Sequence, residues 1–155
     1  MTQSVRVLIA DDNARSRDGL RALLGTVRLR PPTTPKTGTR DENRFEIEVV
    51  GEAANGWEAV RQVAECRPDV VLMDFRMPEM NGLETTRLIK NRWPRVKIIM
   101  LTLYAAYRTE ALAAGADAFM VKGCPNEELL ATILNIEEAQ SVPRYKGRRS
   151  LSGEN

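Results

Sequence analysis

The chain of 155 residues contains no histidine. That absence excludes histidine-dependent catalytic triads, histidine-ligated metal centres and a phosphohistidine relay within this chain. Cysteine is nearly as scarce: Cys66 and Cys124 are too few for a disulfide framework and lack metal-site spacing. No apolar run approaches the ~18 residues of a membrane span. Met1-Thr-Gln-Ser-Val-Arg6 does not have the form of a secretory signal, so a cytoplasmic protein without membrane contact is expected. An excess of one charge is also missing. With 23 basic and 21 acidic residues the net charge is +2, which gives little support to nucleic-acid binding by this segment. The length allows one sizeable core but not two ordinary domains.

What the chain does have is a regular alternation of short apolar runs with amphipathic stretches. Residues 5–10 (VRVLIA) are too few for a helix and end in Asp11-Asp12-Asn13. Residues 14–27 then carry Leu20, Leu23, Leu24 and Val27 at helical spacing. Residues 47–53 read as the second strand. Trp57, Val60, Val63 and Ala64 read as the inward stripe of a helix that stops before Pro68. The run 70–73 (VVLM) is unbroken and apolar, as expected of a strand covered on both faces. A helix over 82–92, with Leu83, Leu88 and Ile89 inward, ends at Trp93-Pro94. Residues 96–101 form the fourth strand, 105–114 a short helix closed by Gly115, and 118–121 the fifth strand. Pro125 opens a last helix bearing Leu129, Leu130, Ile133 and Leu134. Five strand-then-helix units predict an α/β fold, a doubly wound, five-stranded parallel sheet with helices on both faces.

Two segments stand outside this pattern. Residues 28–44 (RLRPPTTPKTGTRDENR) are aperiodic and too long for an ordinary helix-to-strand connection, so a disordered insert facing away from the carboxyl ends of the strands is expected. The polar, basic stretch after residue 140 reads as a linker or frayed terminus. The expected organisation is one domain over 1–139, with the 28–44 insert, and a tail over 140–155.

Open parallel sheets bind ligands outside the carboxyl ends of their strands. Asp11 and Asp12 follow the first strand, Asp74 the third, Thr102 the fourth and Lys122 the fifth. Three close carboxylates repel one another unless a cation lies among them. Oxygen donors without histidine or cysteine select Mg²⁺ or Mn²⁺ over zinc. Such an ion neutralises phosphoryl oxygens, a central carboxylate can act as nucleophile, and a lysine and a threonine can hold the transferring group. Taken singly, each residue has an ordinary role: Asp caps helices, and an exposed Lys is commonly just solvated. Their joint placement at one rim favours a site.

The string Asp74-Phe-Arg-Met-Pro-Glu-Met-Asn-Gly82, with Asp11-Asp12, Thr102 and Lys122, resembles the receiver domain of bacterial two-component response regulators. The resemblance covers residues 5 to about 136 apart from the insert. It implies strand order 2-1-3-4-5, Asp74 as phosphoacceptor, and Mg²⁺ held by Asp11, Asp12, Asp74 and the backbone carbonyl of Arg76. Pro78 and Gly82 would shape the Asp74 loop. Thr102 would move toward the phosphoryl group, with Phe119 as the switching aromatic ring. Arg76 and Tyr104 lie where the family tunes the lifetime of the phosphate. The family's usual Lys-Pro is Lys122-Gly123 here, with Pro125 later.

Phrases such as VVGEAANGWEAV and ALAAGADAFMVKG look like the subgroup with a LuxR-type helix-turn-helix output. The implied partners are a sensor histidine kinase and, after phosphorylation, a second copy. DNA would be reached only through an output domain that these residues do not contain. Enzymatic activity would be limited to self-phosphorylation and autodephosphorylation. The alternative is a Mg²⁺-dependent aspartyl-phosphate phosphohydrolase of the haloacid dehalogenase type, but that family has Asp-x-Asp where this chain has Asp11-Asp12-Asn13.

Overall fold

The computed structural model describes residues 3–25, 28–29 and 45–141. β1 (Gln3–Ala10) lies inside the sheet because its second half, Val7 through Ala10, is apolar and buried on both faces, with Val5 buried beside it. It pairs in parallel with β3 (Phe45–Ala53) and with β4 (Val70–Met73). β5 (Lys97–Thr102) adds to β4, and β6 (Ala118–Val121) adds to β5. Counted among themselves, the five parallel strands run in the expected order 2-1-3-4-5. The sheet has one further member. β2 (Arg28–Leu29) pairs antiparallel with Phe45–Glu46, so β3 is flanked on both sides. Two residues without a pattern of their own left no sign of it in the sequence. Residues 30–44, the rest of the expected insert, lie outside the described residues.

The helices divide between the two faces of the sheet. α1 (Ala14–Gly25) and α5 (Asn126–Ser141) pack Leu24, Leu129, Leu130 and Ile133 against Val7, Ile9, Leu72 and Leu101. α2 (Gly56–Cys66), α3 (Gly82–Arg92) and α4 (Arg108–Ala113), the last preceded by a 3-10 turn at Ala105–Tyr107, cover Leu8, Val71, Met73, Ile98 and Met100. Each fully buried Leu, Ile, Val or Met side chain contributes about 1.5–3 kcal/mol.

The expected packing differs in two helices. Trp57 is 59% exposed and Ala64 is exposed as well, while Gly56, Ala59 and Val63 form the buried stripe of α2. A Cβ on Gly56 would collide with Thr85 Oγ1 and Met80 O, so α2 and α3 approach more closely than a larger side chain permits. Leu88 is 37% exposed, with Ile89 carrying the burial and Leu83 only half-buried. Val27, placed in α1 by its spacing, lies outside the described residues.

Candidate functional site

Each candidate side chain sits at the end of a parallel strand, held there by extensions of the sheet's own hydrogen bonding. Asp11 N–H donates to Ala53 O at 2.9 Å and Asp74 N–H to Ala10 O at 2.9 Å, which sets the two carboxylates on neighbouring strands. Lys122 N–H donates to Thr102 O at 2.8 Å, tying the end of β6 to the end of β5. Gly82 completes the frame: its N–H reaches Phe75 O at 2.8 Å, and any Cβ there would strike Asp74 O.

The side chains converge. Lys122 Nζ donates to Asp11 Oδ2 at 2.7 Å and to Asp74 Oδ2 at 3.0 Å. Oxygens of Asp11, Asp12 and Asp74 lie within 4.8 Å of one another. Asp11 and Asp74 are buried and Asp12 is exposed. The capping role open to an Asp pair falls instead to Asn13, whose Oδ1 accepts from Ser16 N–H at 3.1 Å. Asp11 Oδ1 accepts from Asn13 N–H at 2.9 Å, and Asp74 Oδ1 from Phe75 N–H at 2.8 Å, so both carboxylates are oriented.

Burial is the main force on the Asp74 carboxyl and pushes it above the usual carboxylate range, with Lys122 working against that and Asp11 adding to it. Burial pulls the Lys122 ammonium down, but Asp11 and Asp74 outweigh it and hold the group above its ordinary value. Lys122 therefore stays charged. Three carboxylates and one ammonium leave a formal charge of −2, which one hard divalent cation balances. The donor set fits Mg²⁺: oxygen only, pre-oriented, with one carboxylate open to solvent. Cys124, two residues beyond Lys122, adds no second nucleophile, since burial and then Glu128 push its thiol up and keep it protonated.

Thr102 is fully buried at the same rim and its side chain makes no hydrogen bond to the cluster among the described residues; its Oγ1 accepts from Tyr104 N–H at 3.4 Å. Phe119 is half-buried, in register with Met100 and packed into the core covered by α2 to α4. The Arg76 guanidinium lies 4.3 Å from the ring centroid of Tyr104. Phe75 stacks on Tyr107 at 3.9 Å, and Tyr107 meets Tyr104 edge-on at 6.1 Å, contacts that no local pattern announces. Together these contacts join the loop after β4 to the loop after β5. An aromatic residue in each of two rim loops was the available signal.

Residues 41–134, more than half of the chain, match the family described as the response regulator receiver domain. The chain belongs to that family. The matched stretch of the receiver domain starts beyond Asp11 and Asp12, and the geometry of the cluster joins those two residues to Asp74 and Lys122. Among similar proteins, the transcriptional regulatory protein LnrK of Bacillus subtilis is 31% identical over 163 residues, covering 97% of this chain and 66% of that protein. The transcriptional regulatory protein YhcZ of the same organism is 38% identical over 130 residues, 83% of this chain and 53% of that one. A LuxR-family two-component response regulator from Aurantimonas sp. SI85-9A1 superposes with a TM-score of 0.71 at 29% identity, covering 88% of this chain and 87% of that chain. The receiver domain thus spans between about half and two thirds of the length of these curated relatives.

Proposed function

We propose that this receiver domain is a phosphorylation-controlled switch with Asp74 as the phosphoacceptor, and that a sensor histidine kinase supplies the phosphoryl group. The observation that carries this reading is the shared ammonium of Lys122, 2.7 Å from Asp11 and 3.0 Å from Asp74. An oxygen of Asp74 bonds to phosphorus as the P–N bond of the donor imidazole breaks, and the imidazole leaves as the neutral base after taking a proton from solvent. Asp74 reacts as the ionised carboxylate, so no general base is needed. Lys122 is already aimed at Asp74 Oδ2 and follows the charge onto the phosphoryl oxygens. Mg²⁺, held by Asp11, Asp12, Asp74 and the Arg76 carbonyl, would neutralise phosphoryl charge there.

Thr102 Oγ1 is held by one long hydrogen bond, so a new acceptor on Asp74 can draw it away. Movement of Thr102 shifts an existing two-state equilibrium, with Phe119 as the ring that follows. Leu103, Leu112 and Val121 are exposed large apolar side chains at and around α4 and β6, a surface suited to a partner or a second copy. By analogy with LnrK and YhcZ, which are transcriptional regulatory proteins, the regulated output is transcription, reached through an output domain for which 140–155 would be the connecting segment and 1–139 the receiver unit. The phosphohydrolase alternative is not favoured, because the family matched is a signalling family.

Acetyl phosphate with Mg²⁺ tests the reading. One phosphoryl group is expected by mass on the native chain and none on Asp74→Asn; an unlabelled native chain, or a labelled variant, overturns it. The same labelled protein tests shielding by Arg76, whose side chain is anchored on Tyr104. Arg76→Ala is expected to lose its phosphate several-fold faster, and an unchanged decay rate removes Arg76 from that role.

A further inference from the structure

At the amino ends of the strands, α2 and α3 end around a cleft of about 320 Å³. Its floor is apolar, made by the buried Val63 and Val96; Trp93 and Pro94 line one side, and Arg67, Arg92 and Arg95 line the remainder. Neither Arg67 nor Arg92 has a carboxylate partner among the described residues. The walls are fixed rather than loose. Trp93 N–H donates to Ile89 O at 2.7 Å, and Lys90 Nζ ties down Pro94 O at 3.1 Å and Val96 O at 3.0 Å. The Arg92 guanidinium rests 4.8 Å from the Trp93 ring centroid.

Arg67 is the most telling residue. It caps α2 in the left-handed region, φ 46 and ψ 64, where glycine is the usual occupant and a residue with a Cβ is strained. A guanidinium is thus kept at the cleft at some expense in stability.

A site of this size is at the small end of ordinary ligand pockets. The Arg67 and Arg92 guanidinium forks, which meet no carboxylate among the described residues, match phosphate oxygens, and an indole, a proline and two valines bury a flat apolar body. We propose that this cleft binds a small phosphate-bearing ligand with a planar ring, of mononucleotide size. It lies at the end of the sheet opposite Asp74 and needs none of the residues assigned to phosphotransfer.

Trp57 and Trp93 are the two tryptophans of the chain, so Trp57→Phe leaves Trp93 as the sole indole reporter. Titration of that full-length variant with adenosine 5′-monophosphate, checked by calorimetry on the native chain, should give a saturable signal. Ribose 5-phosphate and adenosine, each lacking half of the chemistry, should bind at least about tenfold more weakly. Arg92→Gln should weaken the mononucleotide about tenfold, the equivalent of one charge-assisted hydrogen bond. Arg67→Gly should do the same while folding at least as stably, which separates lost binding from lost structure. Labelling of Asp74 by acetyl phosphate should be unchanged in both variants, so a failure here is distinct from a failure of the phosphoacceptor reading. No saturable signal with the mononucleotide, undiminished binding in Arg67→Gly and Arg92→Gln, or binding of a glutamate-rich peptide in its place would overturn the proposal.

Discussion

β6 is four residues long and carries a lysine–aspartate network at each end. At its carboxyl end, Lys122 faces Asp11 and Asp74; at its amino end, Asp117 faces Lys90 and Lys97 at 3.0 and 3.7 Å. The two ammonium groups that bridge them are equally shielded, 19% exposed for Lys122 and 18% for Lys90. The carboxylates are not: Asp11 and Asp74 are buried, whereas Asp117 keeps water contact. The balance differs as well. Around Lys122 the carboxylates are in excess. Around Asp117 the cations are in excess, and surplus donors find backbone carbonyls, with Lys90 serving Pro94 and Val96 and Asp117 also accepting from Ile98 N–H at 2.9 Å. A network whose spare capacity is spent on the backbone is a staple. One with buried negative charge left over is primed to take up a cation and an electrophile.

Removing the lysine from each network should separate these roles most sharply. Lys122→Ala is expected to slow labelling of Asp74 by acetyl phosphate by about 10²–10³-fold, the scale of losing a positioned donor at developing charge. Lys90→Ala should leave that rate within about twofold and lower stability by about 1–2 kcal/mol through the freed carbonyls. Equal rate losses in the two variants would erase the distinction.

A smaller effect follows from the surplus charge. Mg²⁺ that binds the folded chain alone stabilises it by about 2.7 kcal/mol at one hundred times its dissociation constant. The melting temperature should therefore climb with Mg²⁺ and fall back on chelation. Asp12→Asn should blunt the rise, because it removes the exposed member of the acidic cluster, while Asp117→Asn should leave it intact.

Much of this contrast was readable from the sequence on one side only. The carboxyl rim is legible because parallel strands covered on both faces leave unbroken apolar runs, as in 70–73, and the residue following each run is where a ligand must bind. Asp117, Lys90 and Lys97 give no such sign: they are ordinary charged residues 20 or more positions apart from Asp117, and only the fold brings them together. The stripe of α2 was misread for a related reason. Apolar periodicity weights Trp57 heavily and glycine not at all, yet Gly56 is what lets the two helices close on each other. The stack of Phe75 on Tyr107 and the pairing of Arg28–Leu29 are likewise contacts between segments, without local signature.

The smallest expected effect is also the sharpest, because one substitution should change sign between the two ends of β6. Asp117→Asn loses the charge facing two lysines: the amide oxygen can replace Oδ2, which accepts from both Ile98 N–H and Lys90, but an NH₂ then faces Lys97 in place of Oδ1, a cost of about 2 kcal/mol. Asp74→Asn should instead stabilise the metal-free chain, by about 1 kcal/mol, as neutralising a functional residue often does. The sign follows from the raised pKa. A carboxyl protonated more readily in the folded chain than at its ordinary 3.8 favours folding while neutral and loses that contribution as pH rises through its folded value. At pH 7 the ionised group is a burden that asparagine removes. Below pH 3.8 the carboxyl is neutral whether folded or unfolded, and the advantage of asparagine should vanish. Denaturant melts of the two variants at pH 7 and pH 3.5, without Mg²⁺, measure both the sign and its disappearance. If Asp74→Asn destabilises the metal-free chain at pH 7, Lys122 already neutralises the acceptor fully, and the carboxyl end of β6 is a staple like the other.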